Sequence, residues 1–253
     1  MKVATWNVNG VRARHEQLRE LLAAEQPDVV CLQEIKATPA QVPEPMLTAD
    51  DYWSYWHGAG GYSGVALLVR RTLAPAQPIF AHPDFDFEQR MVTVALDGVT
   101  IASVYVPNGG KDYEAKIRFL EGLNGWVAGQ HRSNAQLLIC GDINIAREDR
   151  DIHQKERKAN QIGTRPDERA LFNQLIAAGL TDIGRAMDPD NDNLFTWWAP
   201  WRNLRQRNIG WRIDYQLASA RLAAAAVNCA SMREFGTSDH APVVATFNFD
   251  PVT

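Results

Sequence analysis

Cysteine is scarce in this 253-residue chain. Cys31, Cys140 and Cys229 are an odd number, lie far apart and show no CxxC spacing, which excludes a disulfide framework and a structural zinc site and fits a reducing cytoplasm. No apolar run reaches the about 18 residues of a membrane-spanning helix, and the opening MKVATWNVNG does not read as a signal peptide. No Ser/Gly-rich stretch or block of like charge divides the chain, so one domain over residues 1–253 is expected. Hydrophobic residues make up 45% and charged residues 22%, which rules out a disordered chain. Basic residues are also in slight deficit, 26 Lys+Arg against 30 Asp+Glu, and that sum alone argues against a nucleic-acid partner.

Apolar runs with strand character alternate with helical patterns, the mark of an α/β layered fold. Strands are expected at Val3–Val8, Val29–Leu32, Gly64–Val69, Met91–Leu96, Thr100–Val106, Gln136–Cys140, Ile213–Leu217 and Val243–Phe249, with a turn at Asp97-Gly98. Helices are expected at Arg14–Glu25, Tyr113–Ala128 and Glu168–Ala178. The stretch from Arg147 to Pro166 is polar and aperiodic, the profile of a functional loop. Two strands end in similar polar clusters, Trp6-Asn7-Val8-Asn9-Gly10 and Gly141-Asp142-Ile143-Asn144, which suggests two similar sheets packed face to face.

Those endings carry the chemistry. Asn7 and Asn9, Gln33 and Glu34, Asp142 and Asn144, Asp214, and Asp239-His240 sit at or beside the ends of apolar strands. In α/β sheets that is where ligands bind. Residues i and i+2 of a strand share a face, so Asn7/Asn9 and Asp142/Asn144 can aim oxygens at one point. An oxygen-rich set without thiolates suits Mg²⁺ or Mn²⁺.

In order along the chain, the segments Trp6-Asn7-Val8-Asn9-Gly10-Val11-Arg12, Leu32-Gln33-Glu34-Ile35-Lys36, Gly61-Tyr62-Ser63-Gly64-Val65, Tyr105-Val106-Pro107-Asn108, Gly141-Asp142-Ile143-Asn144-Ile145-Ala146, Gly210-Trp211-Arg212-Ile213-Asp214-Tyr215 and Ser238-Asp239-His240-Ala241-Pro242 resemble the exonuclease III / apurinic-apyrimidinic endonuclease family of the endonuclease–exonuclease–phosphatase superfamily. One departure is Gln89, in Phe85-Asp86-Phe87-Glu88-Gln89-Arg90, where the family commonly has Gly. The resemblance implies a four-layer α/β sandwich, two packed β-sheets flanked by helices, with the site at one rim. It implies a Mg²⁺-dependent (Mn²⁺ possible) monomeric DNA-repair nuclease that cuts 5′ to abasic sites and trims 3′ ends, acting on double-stranded DNA in the cytoplasm.

By motif match, Glu34 holds the metal with Asn9 and Asp239; Asp142 orients and deprotonates the attacking water; Asn144, Asn7 and Tyr105 contact the scissile phosphate; and His240, held by Asp214, faces a phosphate oxygen. His240 acts as an electrophile if charged and as a base if neutral, and the sequence leaves both open. Asn108, Lys111 and Arg207 are further phosphate contacts, as are Arg147, Arg150, Lys155, Arg157 and Lys158 of the polar loop. The segment from Thr196 to Arg212 has four Arg, four Trp and no acid, suited to phosphate contact and stacking. Trp197, Trp211 and Ile213, with Phe195, resemble the family's slot for an extruded base-free sugar. The alternatives are a superfamily phosphatase acting on another phosphate ester, or a non-catalytic DNA-binding relative.

Overall fold

A computed structural model describes residues 1–47, 51–96, 98–132 and 136–249; Asp97 of the expected turn lies outside the described residues. The first sheet contains β1 (Lys2–Asn7), β2 (Val29–Gln33), β3 (Tyr52–His57), β4 (Val65–Arg70), β11 (Ala226–Ser231) and β12 (Val243–Phe247), in the order β11-β12-β1-β2-β4-β3. The second contains β5 (Phe80–Ala81), β6 (Met91–Leu96), β7 (Val99–Tyr105), β8 (Gln136–Asp142), β9 (Leu180–Asp182) and β10 (Asp214–Ser219), in the order β5-β6-β7-β8-β10-β9. In each sheet the third and fourth strands pair in parallel (β1 with β2, β7 with β8) and all other pairs are antiparallel. The two sheets therefore share one topology. The counterpart of β1 is β7, and that of β8 is β2. The expected likeness between the ends of β1 and β8 is thus displaced: Asp142 corresponds to the end of β2, beside Glu34, and Asn7 to the end of β7, beside Tyr105.

The four layers follow from which faces are apolar. Helix α1 (Val11–Glu25) lays Val11, Leu18 and Leu21 on the outer face of the first sheet, against Trp6, Val30, Leu32 and Leu68. Helices α3 (Tyr113–Arg132) and α4 (Pro166–Ala177) cover the second sheet through Phe119, Leu120, Leu123, Val127, Phe172 and Leu175. Short helices α2 (Glu44–Leu47), α5 (Ile183–Met187) and α6 (Ala220–Ala224) complete the set. Among the described residues no helix is long and apolar enough to cross a membrane.

The strands β3, β5, β9 and β11 were not expected. β5 and β9 are two and three residues long. β3 and β11 are sheet edges without clean alternation, Tyr-Trp-Ser-Tyr-Trp-His and Ala-Val-Asn-Cys-Ala-Ser. The stretch from Arg147 to Pro166 is an ordered loop with two single-turn 3₁₀ helices, at Asp149–Asp151 and Gln154–Glu156.

Between the sheets, polarity rises toward one rim in steps of two residues. Val3 gives way to Thr5 and Asn7, Val29 to Cys31 and Gln33, Ile101 to Ser103 and Tyr105, Leu138 to Cys140 and Asp142, and Ala218 to Gln216 and Asp214. The side-chain amide N–H groups at the intermediate level find acceptors within the interior, while Gln216 Oε1 is left without a partner. Gln33 Nε2 donates to Thr5 Oγ1 (3.1 Å) and Ser103 Oγ (3.0 Å), and Gln216 Nε2 donates to the carbonyls of Val3 and Val243 (3.1 Å each). Gly141 is where this packing is tightest. It has φ +148°, and a Cβ there would lie 1.9 Å from the Val104 carbonyl oxygen of the paired β7, so no other residue can precede Asp142 in this strand.

Two arginines of the Arg/Trp segment are built into the fold and face no phosphate. Arg212 is buried; its Nε donates to Asp151 Oδ1 (2.8 Å), and Nη1 and Nη2 bind Asp182 Oδ1 and Oδ2 (2.9 and 2.6 Å). Arg185 adds a bond to Asp151 (2.8 Å). Arg205 donates to the carbonyls of Arg233, Ser238 and Phe235 (2.6, 2.6 and 2.7 Å) and so pins the turn before Asp239. Trp198 and Phe195 pack together in a small core with Leu204 and Ile209, so Phe195 is no part of the expected sugar slot. Burial pushes the Asp151 carboxyl up, but the charge and hydrogen bond of Arg212 and the bond from Arg185 outweigh it and hold it below the ordinary value. That stabilisation is full above the unfolded carboxylate pKa and fades as pH falls through the lower, folded value. Arg212→Met should therefore cost about 3–5 kcal/mol at pH 7, because it strands two buried carboxylates. The deficit should shrink below about pH 4, where Asp151 gains a proton. Denaturant unfolding at both pH values checks this; a deficit that does not change with pH would mean that Arg212 acts by packing alone.

Candidate active site

The polar rim closes on a cavity of about 340 Å³ lined by Glu34, Tyr105, Asn108, Asp142, Asn144, Ile162, Gly163, Trp197, Trp211, Ile213, Asp239 and His240. Eleven of the residues singled out in the sequence are therefore brought together at or beside this cavity, counting Asp214 behind His240. Asn7 sits beneath them. It is fully buried, and its Nδ2 donates to Glu34 Oε1 and Asp142 Oδ2 (2.9 Å each), joining the two sheets through their carboxylates. Its Oδ1 accepts the Asn9 N–H (3.0 Å). With all these groups engaged, Asn7 is a brace between carboxylates rather than the free phosphate donor expected from the motif.

Asp142 Oδ1 accepts the Asn144 N–H (2.9 Å), and Oδ2 also accepts from Asn144 Nδ2 (3.2 Å). Asn144 Nδ2 donates as well to the Val106 carbonyl (3.0 Å), and Asn144 Oδ1 accepts from Asn108 Nδ2 (3.3 Å). Glu34 Oε2 meets Lys36 Nζ at 2.7 Å, and the same ammonium donates to Asn9 Oδ1 at 2.6 Å. Asn9 Nδ2 donates to Asp239 Oδ1 (2.8 Å), while Trp197 Nε1 donates to Asp239 Oδ2 (2.9 Å). His240 Nδ1 faces Asp214 Oδ2 at 2.9 Å, and its Nε2 lies 3.8 Å from Asp142 Oδ2.

Among the described residues, Glu34, Asp142 and His240 form the one group of three whose ligand atoms lie within 4.8 Å of one another, as a metal ion requires. Asn9 and Asp239 stand outside that group. The oxygen of Asn9 is taken by Lys36, and both oxygens of Asp239 accept hydrogen bonds. The structure thus shows an acidic cluster that could bind a metal, with Glu34 shared with the motif-based set.

Backbone conformation is unusual here. Asn9, Glu34, Lys36 and Asn144 have φ between +45° and +55°, the left-handed region that L-residues avoid at a cost of about 1–2 kcal/mol. Such residues cluster at functional sites when the surroundings force them. The forcing is visible: the Glu34 carbonyl accepts Gly10 N–H, and Lys36 N–H donates to Ser63. Gln89 also has φ +52°, which accounts for glycine being common at that position in the family and places the departure in a turn away from the cavity lining.

The electrostatics separate the roles. Burial pushes the Asp142 carboxyl up, with Asp214 and Glu34 adding repulsion, to about 8. Burial opposes charge on His240, but Asp214, Asp142 and Asp239 together outweigh it and raise the imidazole to about 10. Glu34 is held below its ordinary value despite burial, through bonds from Asn7 and Lys36 and the charge of His240. Asp239 is likewise held down, against burial, by His240, Trp197 and Asn9. Burial and then the charges of Glu34 and Asp142 push the Tyr105 phenol far up, so it stays a neutral donor.

Lys111 and Arg207 are exposed and lie outside the cavity lining. Arg147 and Arg150 are engaged with Asn173, Glu148 and Asp192, whereas Lys155, Arg157 and Lys158 are exposed. Three members of the site were not anticipated from the sequence: Lys36, Ile162 and Gly163. Lys36 stood within the quoted Leu32–Lys36 segment, and its charge two residues from Glu34 was the available signal.

With the geometry in place, comparison with known proteins is direct. Residues 4–240 match the endonuclease/exonuclease/phosphatase family. The exodeoxyribonuclease of Bacillus subtilis (strain 168) is 32% identical over 98% of this chain and 100% of its own length. A structure of a Neisseria 3′ phosphatase bound to a product DNA hairpin superposes with TM-score 0.88 at 30% identity, covering 98% of this chain and 100% of that one. An AP endonuclease from Archaeoglobus fulgidus superposes with TM-score 0.87 at 26% identity and the same coverage. Matched over nearly its whole length in sequence and in fold, the chain belongs to the endonuclease/exonuclease/phosphatase family.

Proposed function

We propose that this protein is a metal-dependent DNA-repair nuclease that hydrolyses the phosphodiester 5′ to an abasic site in duplex DNA and also works on 3′ ends as an exonuclease or 3′-phosphatase. One observation carries the reading: Glu34, Asp142 and His240 converge on the same small cavity whose other wall is the apolar set Trp197, Trp211 and Ile213. The DNA-repair names of the relatives and the DNA bound to one of them support it.

The carboxylate oxygens of Glu34 and Asp142 are hard donors, which fit Mg²⁺ or Mn²⁺, with Glu34 as the fixed carboxylate; His240, held charged by Asp214, has no lone pair to offer the ion. When bound, such an ion neutralises charge on the phosphate and on the departing oxygen. Asp142 is placed to take the proton from the attacking water, and a carboxyl raised to about 8 is matched to that task near neutral pH. As the water oxygen bonds to phosphorus, the bond to the 3′ oxygen breaks, and that oxygen takes a proton from solvent to become the 3′-hydroxyl. His240, held charged by Asp214, serves in this reading as the electrophile that faces a non-bridging oxygen; the carboxylate on Nδ1 favours that role over the base. Tyr105 remains protonated and donates. Asn144 orients Asp142 and, with Asn108, borders the phosphate position. Lys111 and Arg207, both exposed, are free to reach the flanking DNA backbone.

Selectivity resides in the slot. A base-free sugar fits between Trp197, Trp211 and Ile213 where a nucleotide with its base does not. The indole N–H of Trp211 is buried without a partner, an arrangement that a purely structural core residue rarely tolerates.

Two outcomes follow. A chelator should abolish incision of an abasic duplex and Mg²⁺ or Mn²⁺ should restore it, while Asp142→Asn should lose about 10²–10⁴ in turnover yet still bind DNA. Turnover in chelator, or a variant that binds nothing but turns over normally, would remove the metal and base assignments respectively. Trp211→Ala should lower abasic incision by the loss of roughly 1–3 kcal/mol of apolar contact and lower removal of normal 3′ nucleotides less. If instead the ratio of the two rates stays constant while Tm drops, Trp211 is core and the slot lies elsewhere.

A further inference from the structure

Lys116 is fully buried on the core-facing side of α3, three residues before Phe119, and takes no part in the chemistry above. Its Nζ pairs with Glu168 Oε2 (2.5 Å) and donates to the carbonyls of Asn144 (2.8 Å) and Asn108 (3.4 Å). Two carbonyls thus accept hydrogen bonds from the ammonium, and Glu168 Oε2 meets it as an ion-pair partner. Glu168, equally buried in the first turn of α4, accepts the backbone N–H groups of Gly163 (2.5 Å) and Arg165 (2.8 Å) on Oε1. One ion pair thus ties together the loop after β7, the loop after β8 and the entry to α4, and each of those segments lines the cavity.

What it holds is specific. Asn144 has its carbonyl on Lys116, its N–H on Asp142 and its side-chain amide on Asp142, so its peptide is fixed from both ends. Gly163 lies flat against Trp211. At φ +92°, a Cβ there would stand 2.9 Å from Trp211 Cζ3 and 3.4 Å from the Asn144 carbonyl oxygen. The backbone of Gly163 is therefore a spacer of fixed thickness between the ion pair and the indole. Burying such a pair contributes little net stability, because desolvation offsets attraction, and a buried ionic group is retained best where direction matters. Burial indeed works against the charge on Lys116.

We propose that the Lys116–Glu168 pair is a positioning device that sets the distance between the phosphate-bordering Asn144 and the slot residue Trp211, and thereby the preference for abasic over normal nucleotides. Resting on the nuclease reading above, this adds two positioning residues that touch neither substrate nor metal.

The test uses Glu168→Gln, which keeps an acceptor for Gly163 and Arg165 and removes the charge, and Lys116→Met, which frees the Asn144 and Asn108 carbonyls. Each variant is assayed well below its own Tm on an abasic duplex and on a recessed normal 3′ end, with wild type alongside. Misplacement of a positioning group costs large factors in rate, so abasic kcat should fall roughly 10-fold or more and the abasic-to-normal ratio should fall with it. A purely structural brace lowers Tm and leaves the ratio alone, so an unchanged ratio in whichever variant folds overturns the inference. Wild type that fails to incise the abasic duplex overturns the nuclease reading itself, and this inference with it.

Discussion

Two carboxylates, Glu34 and Asp142, come from different sheets and are held together by one amide, the Nδ2 of Asn7, at 2.9 Å from each. Bringing two acids together in a nearly dry place is unfavourable unless their charges are met by donors and cations. The rest of the rim meets them. Lys36 and Asn7 serve Glu34, Asn144 and Asn7 serve Asp142, and His240 stands between them and Asp214. The stepwise rise in polarity between the sheets serves the same end, because the seam is already hydrogen-bonded before it reaches the carboxylates. Opening the seam at Asn7 would separate the acids and undo the cavity at once.

The shared topology of the sheets explains why the site is built from pairs of loops yet is chemically asymmetric. Equivalent parallel pairs place Glu34 and Asp142 at equivalent ends, so the fold brings two acids to one rim by repetition. The surroundings then divide their roles. Glu34 lies beside an ammonium and stays ionised, whereas Asp142 is more deeply buried and is raised toward neutrality. Two groups of the same acidity class pushed apart by environment can serve as ligand and base.

The residues that meet at the cavity were legible in the sequence because each sits in a short segment whose meaning is local: a strand end, a polar pair two residues apart, a fixed order along the chain. Legibility failed where meaning depends on distant partners. Arg212 and Trp211 are neighbours in sequence, yet one is locked to Asp151 and Asp182 in the interior and the other lines the cavity. The same holds for Arg205, turned onto three carbonyls, and for Phe195 and Trp198, folded into a separate core. The edge strand β11 went unseen because Ala, Asn and Ser are weak strand formers, and β3, though rich in Tyr and Trp, lacks the alternation that marks a strand. Lys116 could have been found: a lysine at helical spacing with Phe119, Leu120 and Leu123 on an otherwise apolar face calls for a buried partner.

The charge of the chain teaches the same lesson about placement. A sum of −4 argues against DNA only if charges are spread evenly, and they are not. Asp142, Asp151, Glu168, Asp182 and Asp214 are buried and their charge is met inside, with Lys116, Arg212 and His240 among the partners. Of the exposed groups, Asp188, Asp190 and Asp192 belong to a loop that borders a different cavity, beside Met187. The exposed Lys111, Lys158 and Arg207 lie a few residues along the chain from Asn108, Ile162 and Trp211 of the cavity lining. A phosphate backbone responds to potential within about a Debye length, roughly 8–10 Å at ordinary salt, and not to the total. The sum of charges is therefore a poor guide to a DNA partner when so many of the acids are already neutralised inside.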